Sequence, residues 1–160
     1  MKFIQAFCLV TAFIFSNMAN AAVSEAPAIK LPSLHGEFEL AQLKGKVVYL
    51  DFWASWCIPC RKSFPWMNEM SAKYKAQGLE VVAINLDKER KLADEFLQKV
   101  PAHFTIAFDS TGDSAKDYKL RGMPSSYLIG RDGKLYASHI GFRDKDKPKM
   151  EQAIQQLLKQ

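Results

Sequence analysis

Trp53-Ala54-Ser55-Trp56-Cys57-Ile58-Pro59-Cys60 is the stretch on which the reading of this chain turns. Two thiols, one helical turn apart, follow directly on Val47-Val48-Tyr49-Leu50-Asp51-Phe52, an apolar run of buried-strand character. The residues from Cys60 onward turn helical, so the spacing predicts Cys57 at the N-terminus of a helix. Unpaired backbone N–H groups and the helix dipole stabilise negative charge there. The thiolate is the reactive form of cysteine, and such a position draws its pKa below the free value of about 8.5. Pro59 pre-sets the backbone at the helix start, where a missing N–H does little harm. Ile58 sets the environment between the sulfurs. The segment is expected to exchange disulfides.

Outward from it, Leu43-Lys44-Gly45-Lys46 leads into the strand, and the helix is expected to run from Cys57 to about Gln77 and stop at Gly78. Met67, Met70 and Tyr74 hold its helical spacing, and Pro65 is expected to kink it. Val81 to Leu86 reads as a second buried strand, Glu89 to Lys99 as a helix, and Thr105 to Phe108 as a third strand. A short helix is placed around Ser114 to Lys119. Ser126 to Ile129 and Lys134 to His139 form two strands around the turn signal Asp132-Gly133. The closing helix carries Met150, Ala153, Ile154, Leu157 and Leu158 on one face. Before the first long strand, Ile29 to Leu34 and Glu37 to Leu40 flank His35-Gly36 as a hairpin. This order implies an α/β domain with a central mixed sheet, helices on both faces and an N-terminal hairpin extension.

With 160 residues, 48% hydrophobic and 24% charged, the chain suits one domain with a substantial core. Lys2, the apolar run Phe3 to Phe15 and the Ala19/Ala21 small-residue site describe a secretory signal peptide over residues 1–21, with the domain occupying 22–160. An uncleaved anchor is the alternative for this leader. With the leader gone, Cys8 leaves too, and Cys57 and Cys60 are the only thiols. A bridge this short constrains little of the unfolded chain, so its purpose is not stapling. The net charge of +5 is spread among interleaved acids. It lacks the clustered bases and exposed aromatics of a nucleic-acid surface, so no nucleic-acid partner is expected.

A lone CxxC is also half of a zinc site. Zinc needs two further ligands, there is no second CxxC, and His35, His103 and His139 lack paired ligand spacing. Haem attachment would put histidine where Arg61 stands. No metal and no cofactor are therefore expected. Asp51 is the anomalous polar residue of its strand. Burial is expected to raise its pKa, and a hydrogen-bonded acid at a strand end is the plainer alternative.

The Asp51 to Cys60 segment, Pro65, and Gly122-Met123-Pro124-Ser125-Ser126-Tyr127-Leu128-Ile129 together resemble the thioredoxin superfamily. The N-terminal hairpin, Leu43 to Lys46 and the leader resemble its extracytoplasmic TlpA/ResA branch, which includes thiol reductants of cytochrome c maturation. The resemblance implies a thioredoxin-like fold with Cys57 as nucleophile, Cys60 as resolving thiol and a Cys57–Cys60 disulfide in the oxidised state. It implies that Asp51 shuttles a proton for Cys60. Pro124 is implied to be a cis-proline facing the thiols, leaving Met123 to pair with an extended partner. Trp56, Ile58, Pro59, Met123 and Pro124 are the expected substrate-binding residues.

Two departures stand out: Ala83 occupies the place of the thioredoxin lysine that partners the acid, and Ser63 the place of an acid frequent in ResA-type proteins. The absence of histidine between the thiols favours a reductant over an oxidant. The implied partners are protein disulfides or thiols and a membrane thiol donor. A periplasmic or otherwise extracytoplasmic location follows from the leader. The rival readings are a thioredoxin-fold copper-handling protein, which would need a distant ligand such as His139, and a peroxiredoxin-type peroxidase.

Overall fold

The computed structural model describes residues 24–160, so the leader expected over residues 1–21 lies outside the described residues. Its strands are β1 (Ser24–Glu25), β2 (Lys30–Ser33), β3 (Gly36–Glu39), β4 (Val47–Trp53), β5 (Leu79–Asn85), β6 (Thr105–Phe108), β7 (Ser125–Ile129) and β8 (Lys134–Ile140). They form one sheet in the order β1-β8-β7-β4-β5-β6-β2-β3. β4 runs parallel to β5, and β5 to β6, while every other pairing is antiparallel. The sheet is thus mixed, with β4 between β7 and β5, and the chemistry-bearing segment leaves from the C-terminal end of this inner strand.

Alternation along β4 explains the layering. All seven of its residues are buried. Val47, Tyr49 and Trp53 face one core cluster, shared with α1 (Ile58–Tyr74), α2 (Arg90–Lys99) and α4 (Lys147–Leu158). Val48, Leu50 and Phe52 face the other, closed by Ile29, Phe38, Leu40 and Tyr118. Period-two side chains make the sheet the wall between two cores. Helices do cover both faces, but unequally. Three pack on one side, and the other is covered by the N-terminal extension and the end of α3 (Asp113–Asp117).

Several boundaries shift from the sequence reading for local reasons. α1 is continuous through Pro65, whose ring lies on the exposed side. Past Tyr74 the chain tightens into a 3-10 turn, Lys75–Gln77, and stops at Gly78 with φ 99°. The positive φ is what calls for glycine there, and a Cβ would also press on the Arg131 guanidinium, whose Nη1 would lie 2.8 Å away. The hairpin turns one residue early, at Leu34-His35, with Ser33 opposite Gly36. There the Ser33 hydroxyl donates to the Gly36 carbonyl (3.1 Å) and accepts from the His35 N–H (3.3 Å).

Candidate active site

Cys57 is the N-cap of α1 and Ile58 its first residue, with Pro59 in the first turn. The Cys57 N–H donates to the Ala54 carbonyl (3.0 Å) and the Cys60 N–H to the Cys57 carbonyl (3.2 Å), which winds the two cysteines into a single turn. Their sulfurs form a disulfide with Cα atoms 5.3 Å apart. Cys57 retains 4% exposure and Cys60 none, so only the first is reachable from outside. Beside them Trp56 is 69% and Ile58 73% exposed, an apolar lip around a nearly buried bridge. The other aromatics of this stretch are core. Trp53 packs edge-on to Phe64 at 4.8 Å between ring centres, and Trp66 meets Tyr49 at 5.5 Å.

The Met123–Pro124 peptide is cis. Ser125 lies opposite Phe52 in the sheet, which puts Pro124 beside the end of β4 from which the CxxC loop departs. The Pro124 carbonyl accepts the Gly141 N–H at 2.7 Å, tying this loop to the end of β8. Met123 is half-buried against the same core cluster that holds both cysteines.

Asp51 is 1% exposed, on the β4 face that carries Tyr49 and Trp53 beneath α1. Its register partners are Ala83 on β5 and Ser126 on β7, so neither neighbouring strand offers a cation at that level. Oδ2 is buried without a hydrogen-bond partner. Burial pushes the carboxyl well above the usual carboxylate range. Ser63 is buried too, and its hydroxyl donates to the Cys60 carbonyl at 3.1 Å. Arg61 is exposed and holds its guanidinium over the Phe96 ring at 5.1 Å. Among the described residues, no three His, Cys, Asp or Glu side chains are grouped to hold a metal.

A clamp that sequence reasoning missed holds the loop. Asp87 accepts the Ser55 N–H at 2.8 Å and the Ser55 hydroxyl at 2.9 Å. Asn85 donates to Asp87 at 2.7 Å and accepts the Asp87 N–H at 3.1 Å. The loop leading into Cys57 is thereby locked to the end of β5. The available signal was an Asn and an Asp at the C-terminal end of a buried strand.

With this geometry in place, comparison with known proteins is decisive: the profile of the Redoxin family matches residues 21–154. The chain belongs to the redoxin family. Within it, this redoxin is 37% identical over 123 residues to the thiol-disulfide oxidoreductase ResA of Bacillus thuringiensis subsp. konkukian, covering 76% of this chain and 71% of that one. It is 34% identical over 113 residues to ResA of Bacillus subtilis, covering 70% and 63%. A Chlorobium tepidum crystal structure, described as a thiol:disulfide interchange protein DsbE, superposes with TM-score 0.84 at 53% identity over 85% of this chain and 96% of that one. The thioredoxin domain of a Bacteroides vulgatus thiol-disulfide oxidoreductase superposes with TM-score 0.74 at 25% identity, covering 84% and 99%. The fold is thioredoxin-like, the branch is TlpA/ResA-like, and the redoxin is a thiol-disulfide oxidoreductase of protein thiols or disulfides.

Proposed function

We propose that this redoxin is an extracytoplasmic reductant of protein disulfides, exported by the leader over residues 1–21 and recharged by a membrane thiol donor. Cytochrome c maturation, the setting of the TlpA/ResA branch, is the proposed context. The single observation that carries the reading is the Cys57–Cys60 pair at the tip of α1, with a buried carboxyl, its Oδ2 without a hydrogen-bond partner, on the strand beneath it.

In the reduced protein Cys57 is the thiolate, favoured by the N–H groups and dipole of α1. It attacks a partner disulfide, and one partner sulfur leaves as thiolate. Cys60 then loses its proton to Asp51 and attacks the Cys57 sulfur. The second partner sulfur leaves, and two electrons have passed to the partner. Trp56, Ile58 and Pro59 form the docking lip, and Met123 with Pro124 offers backbone to an extended partner segment. Absence of histidine between the cysteines supports a potential toward the reducing end of the superfamily's span, about −270 to −120 mV.

Two variants test this. Cys57→Ser is expected to abolish insulin reduction, whereas Cys60→Ser is expected to accumulate a mixed disulfide visible on non-reducing gels. Insulin reduction by Cys57→Ser would overturn the assignment. Equilibration with glutathione tests the direction, and a potential near the oxidising end would reverse it.

A further inference from the structure

Along the sequence the charges interleave, but the fold sorts them. Two segments frame the disulfide: Cys57 to Asn68, which opens α1, and Tyr118 to Pro124, which ends at the cis-proline. Together they carry four exposed cations, Arg61, Lys62, Lys119 and Arg121, and no acid. None of the four belongs to an ion pair among the described residues. Arg61 lies toward α2, over the Phe96 ring. Lys62 lies toward the turn after β8, where Lys147 above all holds the Asp144 carboxyl below the usual range and Lys62 adds to it. Arg121 adjoins Gly122 in the cis-proline loop.

Most acids at this end of the sheet are already engaged. Past β8, Asp146 pairs with Arg143 and Asp144 with Lys147, each at 2.7 Å, while Lys145 and Lys149 stay outside any pair. Past β5, Asp87 is buried and turned inward onto Ser55 and Asn85, and Asp94 takes Arg90 at 2.8 Å. Past β6, Asp109 is buried and accepts from Thr111 and Ser114, and Asp113 takes Lys116 at 2.7 Å. The exposed acids left over are Glu89, set between Lys88 and Arg90 in the chain, and Asp117. The middle of the frame is apolar. Trp56 and Ile58 stand in water beside the bridge, and Ile140 is 54% exposed, its Cγ2 3.6 Å from where a Cβ at Gly122 would lie.

We infer that this cationic frame selects polypeptide partners whose disulfide is flanked by Asp and Glu, with Arg61 and Arg121 as the principal selecting charges. The inference rests on the proposed reduction of protein disulfides at this lip. A partner carboxylate arriving beside Arg61 or Arg121 meets a charge with no counterion of its own, so no existing pair has to break. In dilute salt such charges act over about 30 Å, and they therefore draw in and orient the partner before contact. Once it is docked, water screens a rim charge, so the selection is expressed in the association rate more than in the strength of the complex. The apolar middle supplies the contact, and the frame decides which segments reach it. Partners with basic flanks are turned away by the same field. The exchange itself is unchanged, with two electrons passing from Cys57 and Cys60 to the partner disulfide.

The test mixes the reduced protein with short peptides, each holding one internal disulfide flanked by glutamates, serines or lysines. Each rate is divided by that of dithiothreitol with the same peptide, which removes differences in intrinsic reactivity. At about 10 mM salt the glutamate peptide is expected to react about tenfold faster than the lysine peptide. That ratio is expected to fall toward one in about 1 M salt, where the screening length is about 3 Å. Arg61→Glu with Arg121→Glu is expected to erase the preference, and Arg61→Gln with Arg121→Gln, expected to weaken it, serves if the first pair does not fold. Lys46→Glu with Lys75→Glu makes the same charge change at the far ends of β4 and α1 and is expected to keep the preference. Equal rates for all three peptides, a preference indifferent to Arg61 and Arg121, or one lost equally through Lys46 and Lys75 overturns the inference and leaves the reductant reading standing. Equal rates together with co-sedimentation on phosphatidylglycerol vesicles overturns it in favour of a lipid surface. If no peptide is reduced, the reductant reading fails and the inference with it.

Discussion

Trp56 and Phe64 lie within eight positions of each other around Cys57, yet they do opposite work. Trp56 projects 69% exposed beside the disulfide, while Phe64 is fully buried between Trp53, Phe96 and Phe104. On the proposed function, the large apolar surface left in water next to the bridge serves docking, whereas the buried rings are packing. Trp56→Ala is expected to change unfolding stability by no more than about 0.5 kcal/mol. It is expected to raise KM for insulin while sparing the reduction of a small-molecule disulfide. Phe64→Ala is expected to cost about 3–5 kcal/mol in urea unfolding, because the cavity stays among aromatic neighbours. Of the aromatics in this stretch the sequence reading named only Trp56 as substrate-binding, beside Ile58 and Pro59. It could not show that the Cys57 side of the bridge would be nearly as buried as Cys60, because that enclosure comes from packing around the loop.

At the scale of elements, the loop from Trp53 to Cys57 is held by partners distant in sequence. The Leu86 N–H donates to the Trp53 carbonyl at 2.9 Å, and the Asp87 carboxylate takes both donors of Ser55. Asp87→Ala would leave those donors and the Asn85 amide without an acceptor. Such orphaned buried groups cost about 1–3 kcal/mol, and denaturant unfolding is expected to show that loss. The same variant is expected to lower kcat/KM for insulin, since α1 would start from a loosened loop. This clamp was illegible because Asp87 lies 32 residues from Ser55 and resembles any loop acid in sequence. Arg131 is a second such pin, donating to the carbonyls of Gly45 at 2.8 Å and Gln77 at 3.0 Å. β1 was missed as well, since a two-residue strand has no period to read.

For the whole molecule, the cost of the site is a buried acid in the middle of the core. Burial raises the Asp51 pKa in the folded state, whereas the unfolded chain ionises near the ordinary carboxylate value of 3.8. The unfolded state therefore loses its proton first as pH rises. The stability tied to protonated Asp51 is full below the unfolded pKa and is lost as pH climbs toward the folded one. Asp51→Asn is expected to remove that slope and, at neutral pH, to be the more stable of the two, because the amide cannot ionise in the core. Thermal unfolding at pH 4 and pH 8 checks this: the two proteins should differ more at pH 8. A wild-type protein stabilised by rising pH over this range relative to Asp51→Asn would contradict it.

Local pattern determined much of this redoxin. Apolar runs of strand length, the CxxC at a strand-to-helix junction, the Asp132-Gly133 turn and the closing amphipathic helix each encode their element through nearest-neighbour physics, and an ionisable residue in an apolar run marks itself. Tertiary structure alone decided which strands became neighbours, and so which side chains share a row. Asp51, Ser126 and His139 come from three strands, and nothing in their spacing along the chain puts them side by side. The physical reason is that strand order and register are set by burying two cores at once. The loop clamp and the unequal cover of the two faces are consequences of that global fit, which no short window contains.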